Sequence, residues 1–294
     1  MRKNWNLLLV IALLMISFNG FSQKHKKAKK NQYSIAKGAL FGYWGYNISS
    51  YTRSTIRFVG PGYDFKLAHA YAHDRPEYKI RQYFRPTTWT IPQYNIRLGY
   101  FFKDHWAIAA GMDHLKYVLG NYNQVPLTGH IDPSLNTPWV GDHVNMPVVT
   151  RNEEFHYENT DGNNYIHFDV IYAKYLYRTR QGEFAITAMG GLGAGGIVSV
   201  DDFTFAGTKT MKRYSLSGYG ITGLVGIRLE FFKHFFINTE VSGGFMHQVK
   251  VLNRPNTKDY YTSHYFGEAM FQIDLGGIVY IHSKKNSCDT CPKW

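Results

Sequence analysis

Large apolar side chains and small or polar ones alternate with a period of two along most of this chain. In "RLGYFFKDHWAIAAGMD", residues 97–113, two such runs are joined by only Lys103, Asp104 and His105. Alternation marks strands, and so short a join marks an antiparallel hairpin. The same pattern predicts strands at about Ala39–Ser49, Gln93–Phe102, Trp106–Tyr117, Tyr165–Arg178, Phe184–Ser199, Ser215–Phe232, Phe235–Leu252 and Tyr265–His282. Three joins are short (103–105, 179–183 and 233–234) and the others long (50–92, 118–164, 200–214 and 253–264). Because short and long joins alternate, every short turn falls at one end of the strands and every long loop at the other, as in membrane β-barrels. Several runs also reach the roughly nine to eleven residues of a tilted membrane crossing, where soluble strands average about five or six.

The two faces differ in kind. One collects Ile96, Leu98, Tyr100, Trp106, Ile108, Ile166, Phe168, Val170, Tyr219, Ile221, Val225, Ile227, Ile237, Val241, Ile273, Leu275 and Val279. It is apolar in the middle and aromatic toward the ends, the composition of a lipid-facing band between aromatic girdles. The other face carries Asn95, Arg97, Gly99, Gly111, Asp113, His167, Asp169, Gly191, Gly193, Arg228, Glu230, Asn238, Glu240, Gln248, Glu268, Gln272 and Asp274. A soluble barrel would turn its greasy face inward and show water a face rich in Lys, Glu and Thr. This polar face is small, Gly-rich and sparsely charged, which suits a crowded lumen. The expected fold is all-β: a closed, antiparallel, up-and-down transmembrane β-barrel of eight strands. An even count returns both ends to one side, and closure removes the open edges that lipid penalises. Residues 50–92 contain further alternation (Ile56, Phe58, Tyr63, Phe65, Leu67), expected as a hairpin extending the first loop; ten strands is the rival count.

The ends refine this picture. Residues 1–22 pair a basic start, Arg2 and Lys3, with an apolar run from Leu7 to Phe18 and small residues Gly20 and Ser22, the pattern of a cleavable secretory signal. Residues 23–35 are expected as a basic periplasmic tail, residues 36–283 as the barrel, and residues 284–294 as a second tail. The formal charge of +12 overstates the basicity of the barrel, since Arg2, Lys3 and five Lys of "KHKKAKK" contribute seven of those charges. Nucleic acid is not an expected partner for an exported chain whose basic run is a solvated tail. The two cysteines, Cys288 and Cys291, lie beyond the last strand; a local disulfide in an oxidising compartment is the simplest use, and a redox or intermolecular role the alternative.

The signal ending "FSQ", the alternating strands and the final strand "FGEAMFQIDLGGIVYI" resemble the outer-membrane β-barrel proteins of Bacteroidota. In size the chain is similar to eight-stranded barrels of the OmpA and OmpW type. The resemblance covers roughly residues 36–283 and implies the cell outer membrane after signal cleavage. It implies two partners, outer-membrane lipid and the barrel-assembly machinery, the latter reading a signal set slightly inboard at Phe271–Ile281 by the extra "SKKNSCDTCPKW".

Chemistry is concentrated on the polar face. Arg97, Asp113, His167, Asp169, Arg228, Glu230, Glu240, Glu268 and Asp274 are expected to form a luminal charge network, with Lys250 a further candidate. An eight-stranded barrel is only wide enough for side chains to fill it, and a buried charge without a partner costs several kcal/mol. An ion-paired plug is therefore the expectation, and a proton or ion path the alternative. "GGLGAGG" contains a G-x-G-x-x-G match but continues as "IVSVDDFTF", without the helix that nucleotide binding needs. His114, His130, His143 and His156, with Asp132, Asp142, Glu153 and Glu154, lack a spacing that fixes a metal site, so no metal or cofactor is expected. For catalysis only Ser263–His264 near Asp259, and His114 beside Asp113, are neighbourhoods of interest. Adjacent strand residues point to opposite faces, so no catalytic residue is assigned. The leading function is a structural or surface-interaction barrel with any extracellular ligand meeting loops 50–92 and 118–164. A narrow channel and a lipid-modifying enzyme are the alternatives.

Overall fold

The computed structural model describes residues 33–83, 85, 92–254 and 257–281. The expected signal, Cys288 and Cys291 lie outside the described residues. The strands are β1 (Ala39–Tyr51), β2 (Ser54–Gly60), β3 (Tyr63–Ala70), β4 (Ala72–His73), β5 (Tyr94–Lys103), β6 (Trp106–Leu119), β7 (Asn123–Ile131), β8 (Gly141–Thr150), β9 (Phe155–Arg178), β10 (Phe184–Phe205), β11 (Thr208–Phe231), β12 (Phe235–Leu252) and β13 (Tyr261–Tyr280).

Eight of them close a ring in the order β1-β5-β6-β9-β10-β11-β12-β13, sealed by antiparallel pairing of β13 with β1 from Tyr280↔Ala39 to Glu268↔Tyr51. The ten-strand alternative is thereby excluded. The segment 50–92 instead contributes the β2–β3 hairpin, turned at "GPGY" with Pro61 followed by Gly62 at φ 84°, the positive-φ position of a type II turn.

The apolar face points outward: Leu98 (66% exposed), Phe168 (73%), Leu192 (71%) and Leu275 (68%) stand on the outer wall, as do Val225, Val241 and Ile273. A continuous belt of bare hydrocarbon around the whole ring is tolerated only in lipid, and the fold is a transmembrane β-barrel. Turns at the short end are tight. The β11–β12 turn has Phe232 (φ 53°) and Lys233 (φ 67°) at its centre, the doubly positive φ of a type I′ hairpin formed here without glycine.

The other end departs from the expected picture of long loops. Residues 200–214 form no loop: β10 and β11 run on, paired to Phe205↔Thr208, and turn at Ala206 (φ 52°) and Gly207 (φ 72°). Residues 118–164 likewise fold, into the β7–β8 hairpin and the first part of β9. The sheet continues from β13 through β2, β3, β7 and β8, so these pieces form a structured cap over the ring. Apolar residues of β2, β3, β7, β9 and β10 give the cap its own core. Phe58 stacks on Phe203 with centroids 5.4 Å apart and meets Phe155 edge-on at 5.0 Å, while Phe65, Phe205 and Trp139 complete the cluster.

The turn end is closed too. Ser34 and Ile35, at the end of the stretch expected as a basic periplasmic tail, are both 3% exposed. His105 N donates to Ile35 O at 2.8 Å and Gly38 N to Phe101 O at 2.9 Å, folding this segment across the mouth. Ile35 joins Phe41, Phe101, Ile171, Phe236 and Ile278 in a second apolar cluster. The polar lumen is thus held between two apolar stoppers.

Candidate functional site

The lumen is the site, and the alternation that faces Leu98 to lipid necessarily turns Arg97 inward. Arg97 of β5 is 3% exposed and reaches three other strands. Its Nη1 donates to Glu240 Oε1 of β12 at 2.9 Å, its Nε lies 3.1 Å from Asp169 Oδ2 of β9, and its Nη2 lies 3.8 Å from Asp113 Oδ2 of β6. The His167 ring bridges two of those acids, with Nε2 3.2 Å from Asp113 Oδ2 and Nδ1 2.9 Å from Asp169 Oδ1. Tyr165 stacks on that ring at 4.6 Å, and Tyr43 OH donates to Glu240 Oε2 at 3.4 Å. Small residues make room: a Cβ on Gly111 would approach His167 Nε2 to 2.7 Å.

The remaining lumen charges are held differently from the ion pairs expected of them. Asp274 accepts from three amides, Asn95 Nδ2, Asn238 Nδ2 (3.0 Å) and Gln272 Nε2 (3.1 Å). Glu230 accepts from Thr187 Oγ1 at 2.7 Å and from Ser34 Oγ. Arg228 lies between aromatic faces, 4.7 Å from the Phe41 centroid and 4.1 Å from that of Phe236, and makes no ion pair among the described residues. The physical reason is geometric: neutral amides and hydroxyls on neighbouring strands satisfy carboxylate oxygens, and ring quadrupoles attract a cation. Glu268 is buried on the same wall, 8% exposed. Lys250 does not join the lumen; it is exposed, its Nζ 4.7 Å from the Tyr261 ring.

Above the charges, Gln248 organises a neutral layer. Its Nε2 donates to Ser199 Oγ at 2.8 Å and to Asn159 and Asn163 Oδ1 at 3.2 Å each, while its Oε1 faces His264 Nε2. His264 Nδ1 lies 3.3 Å from Ser54 Oγ. The sequence pointed instead to Ser263 beside it, which alternation sends to the opposite face, and Asp259 is engaged by Thr257. Asp113 and His114 likewise diverge: Asp113 enters the lumen, and His114 stacks on Tyr94 and bonds Asn164 Oδ1 at 2.8 Å.

The loop histidines are dispersed. His130 pairs with Asp142 at 2.7 Å, and His143 meets the carbonyls of Trp139 and Val140. His156 alone joins two acids, Glu158 and Asp202, with donor atoms within 4.8 Å of one another. Two cations already sit on those acids, Arg75 Nη1 at 3.3 Å from Glu158 and Lys209 Nζ at 3.7 Å from Asp202. Just inside them, burial above all, then the charges of Asp202 and Glu158, push the Asp201 carboxyl well above the usual range. On the cap surface the Arg57 guanidinium, hydrogen-bonded to Asp64 at 2.8 Å, holds that carboxyl below it.

No protein-family model matches the chain, and no curated protein matches it. Among solved structures it is similar to the outer membrane protein OprG from Pseudomonas aeruginosa, with 11% identity over 84% of this chain and 98% of that one and a TM-score of 0.39. It is similar also to the N-terminal β-barrel domain of Pseudomonas aeruginosa OprF, with 11% identity, 83% and 98% coverage and a TM-score of 0.33. A third likeness is to Ail, the attachment invasion locus protein of Yersinia pestis, with 10% identity, 83% and 100% coverage and a TM-score of 0.30. Closure and polarity of the present barrel stand on its own pairing register and exposed apolar belt, independently of these likenesses.

Proposed function

We propose that this chain is an outer-membrane barrel with a plugged lumen, exported by its signal, whose rigid cap serves surface interaction rather than transport. The observation that carries the reading is Arg97, tied across the lumen to Asp113, Asp169 and Glu240. Such a cross-brace holds opposite walls together and occupies the axis along which a solute would pass. The cap adds a stable platform, and rigid scaffolds of this kind are where recognition surfaces are carried. Hairpins β2–β3 and β7–β8, within the segments 50–92 and 118–164, present that surface to an extracellular ligand.

Planar-bilayer recording of the reconstituted protein tests the reading. A silent wild type is expected. Repeatable unitary openings that vanish on changing Arg97 or Glu240 would instead make the network a narrow conduction path. The lipid-modifying alternative predicts altered lipid A in a strain carrying the gene, and unchanged lipid A is expected.

A further inference from the structure

We propose that a recess on the outer wall, at the upper edge of the apolar belt, binds the phosphorylated headgroup of an anionic lipid. The inference rests on the membrane reading and adds a ligand class to it.

The recess arises from a fork in the sheet. Strand β13 is paired with β1 up to Glu268↔Tyr51 and with β2 from Ser263↔Arg57, so residues 264–267 keep β12 on one side while on the other β1 gives way to β2 through residues 52–53. The fork leaves a cavity of about 400 Å³ whose walls include Thr52, Arg53, Thr55, His69, Phe245 and Tyr265. Its floor is closed by Ser54, whose hydroxyl turns inward to Tyr117 OH (3.2 Å) and His264 (3.3 Å).

Two features point to an anionic amphiphile. The first is the lower wall: Phe245 and Tyr265, with centroids 5.9 Å apart, adjoin His247 and Tyr219 in a patch of outward aromatic rings. Aromatic belts of this kind sit at headgroup level, with acyl chains beneath. The second is the upper wall. Arg53 and His69 are both exposed there, and neither makes a hydrogen bond, ion pair or ring contact among the described residues. His69 holds φ 54° opposite the register shift between Ser54 and Ile56. A bulge re-aims a side chain, and a left-handed backbone is uncommon for a residue other than glycine.

A guanidinium fork matches the spacing of phosphate oxygens, and an imidazole beside it supplies a second donor. The aromatic wall below favours a phosphate carried on hydrocarbon over a free anion, because only the lipid buries those rings.

The test is lipid retention by native mass spectrometry, using the full chain in nanodiscs of phosphatidylcholine with a minor fraction of phosphatidylglycerol. The wild type is expected to retain phosphatidylglycerol in preference to phosphatidylcholine. Arg53→Ala should lower that retention about fivefold, the effect of one basic group at an anionic surface, and His69→Gly, chosen because glycine accepts the left-handed φ, should lower it further in the double variant. Lys66→Ala, an exposed cation of the same hairpin outside the recess, should leave it unchanged. Undiminished retention in the double variant, an equal loss in Lys66→Ala, or full displacement by millimolar inorganic phosphate would overturn the proposal. A heat-modifiable barrel without lipid preference overturns the site alone; a chain that never becomes heat-modifiable in bilayers overturns the membrane reading and the site with it.

Discussion

Replacing Arg97 with methionine keeps much of the side-chain length and removes the cation that three buried carboxylates share. The consequences differ among the three. Asp113 and Asp169 retain His167 at 3.2 and 2.9 Å, whereas Glu240 is left with Tyr43 OH at 3.4 Å. Removing one partner of a buried ion pair typically costs about 3–5 kcal/mol, because the surviving charge stays desolvated. Arg97→Met should therefore fall in that range. Glu240→Gln should cost less, about 1–3 kcal/mol, since Arg97 keeps Asp169 at 3.1 Å. The double variant should be less destabilised than the sum of the two by about 0.5–3 kcal/mol, because the charge orphaned by the first change is neutralised by the second. Urea unfolding in lipid vesicles, followed by loss of the heat-modifiable gel band, measures all three. An Arg97→Met barrel within about 0.5 kcal/mol of wild type, together with strict additivity in the double variant, would refute the cross-brace.

Three further outcomes are expected. Phe58→Ala, in the middle of the aromatic cap, should destabilise the cap by about 3–5 kcal/mol, raising hydrogen exchange in β2, β3 and β7 while the ring stays heat-modifiable; exchange confined to other strands would contradict a separate cap core. Leu98→Arg, on the outer belt, should cost about 2–4 kcal/mol if it lies near the bilayer midplane, and an unchanged urea midpoint in vesicles would show that this face does not meet lipid. Asp201 binds a proton more tightly in the folded cap than in the unfolded chain, so its contribution to stability is fully present below the unfolded carboxylate range and is lost as pH rises through the raised folded value. Limited proteolysis should therefore find the cap better protected at about pH 4 than at about pH 8, with Asp201→Asn flattening that dependence; equal pH dependence in wild type and variant would remove Asp201 as its source.

Much of the barrel was legible because period-two patterning is a local signal that a closed sheet preserves. β12 runs from Phe235 to Leu252, as the alternation implies, and β6 begins at Trp106 as expected. The cap was less legible. At Ser199–Asp202 the pairing of β10 with β9 shifts register, and beyond it "DDFTF" continues in phase while its outer face turns from lipid to water. With acids at Asp201 and Asp202, the stretch reads as loop. The turn at Ala206–Gly207 is short, and the strands beside it are visible only once β9 is paired alongside. For the lumen, alternation placed the charged residues on one face, but not their partners. Asp274 depends on amides from β5, β12 and its own strand, and Ser34, which caps Glu230, lies in a stretch that reads as tail.

The chain by itself determined a strand-built wall with hydrocarbon on one side and small, ionisable groups on the other, because each residue's face follows from its parity along the strand. Only the folded structure decided for eight strands against ten, that both mouths are stoppered, and that Arg97 of β5 meets Glu240 of β12. Those facts depend on register between segments more than a hundred residues apart, and register is set by side chains meeting across the barrel, which no single stretch of sequence contains.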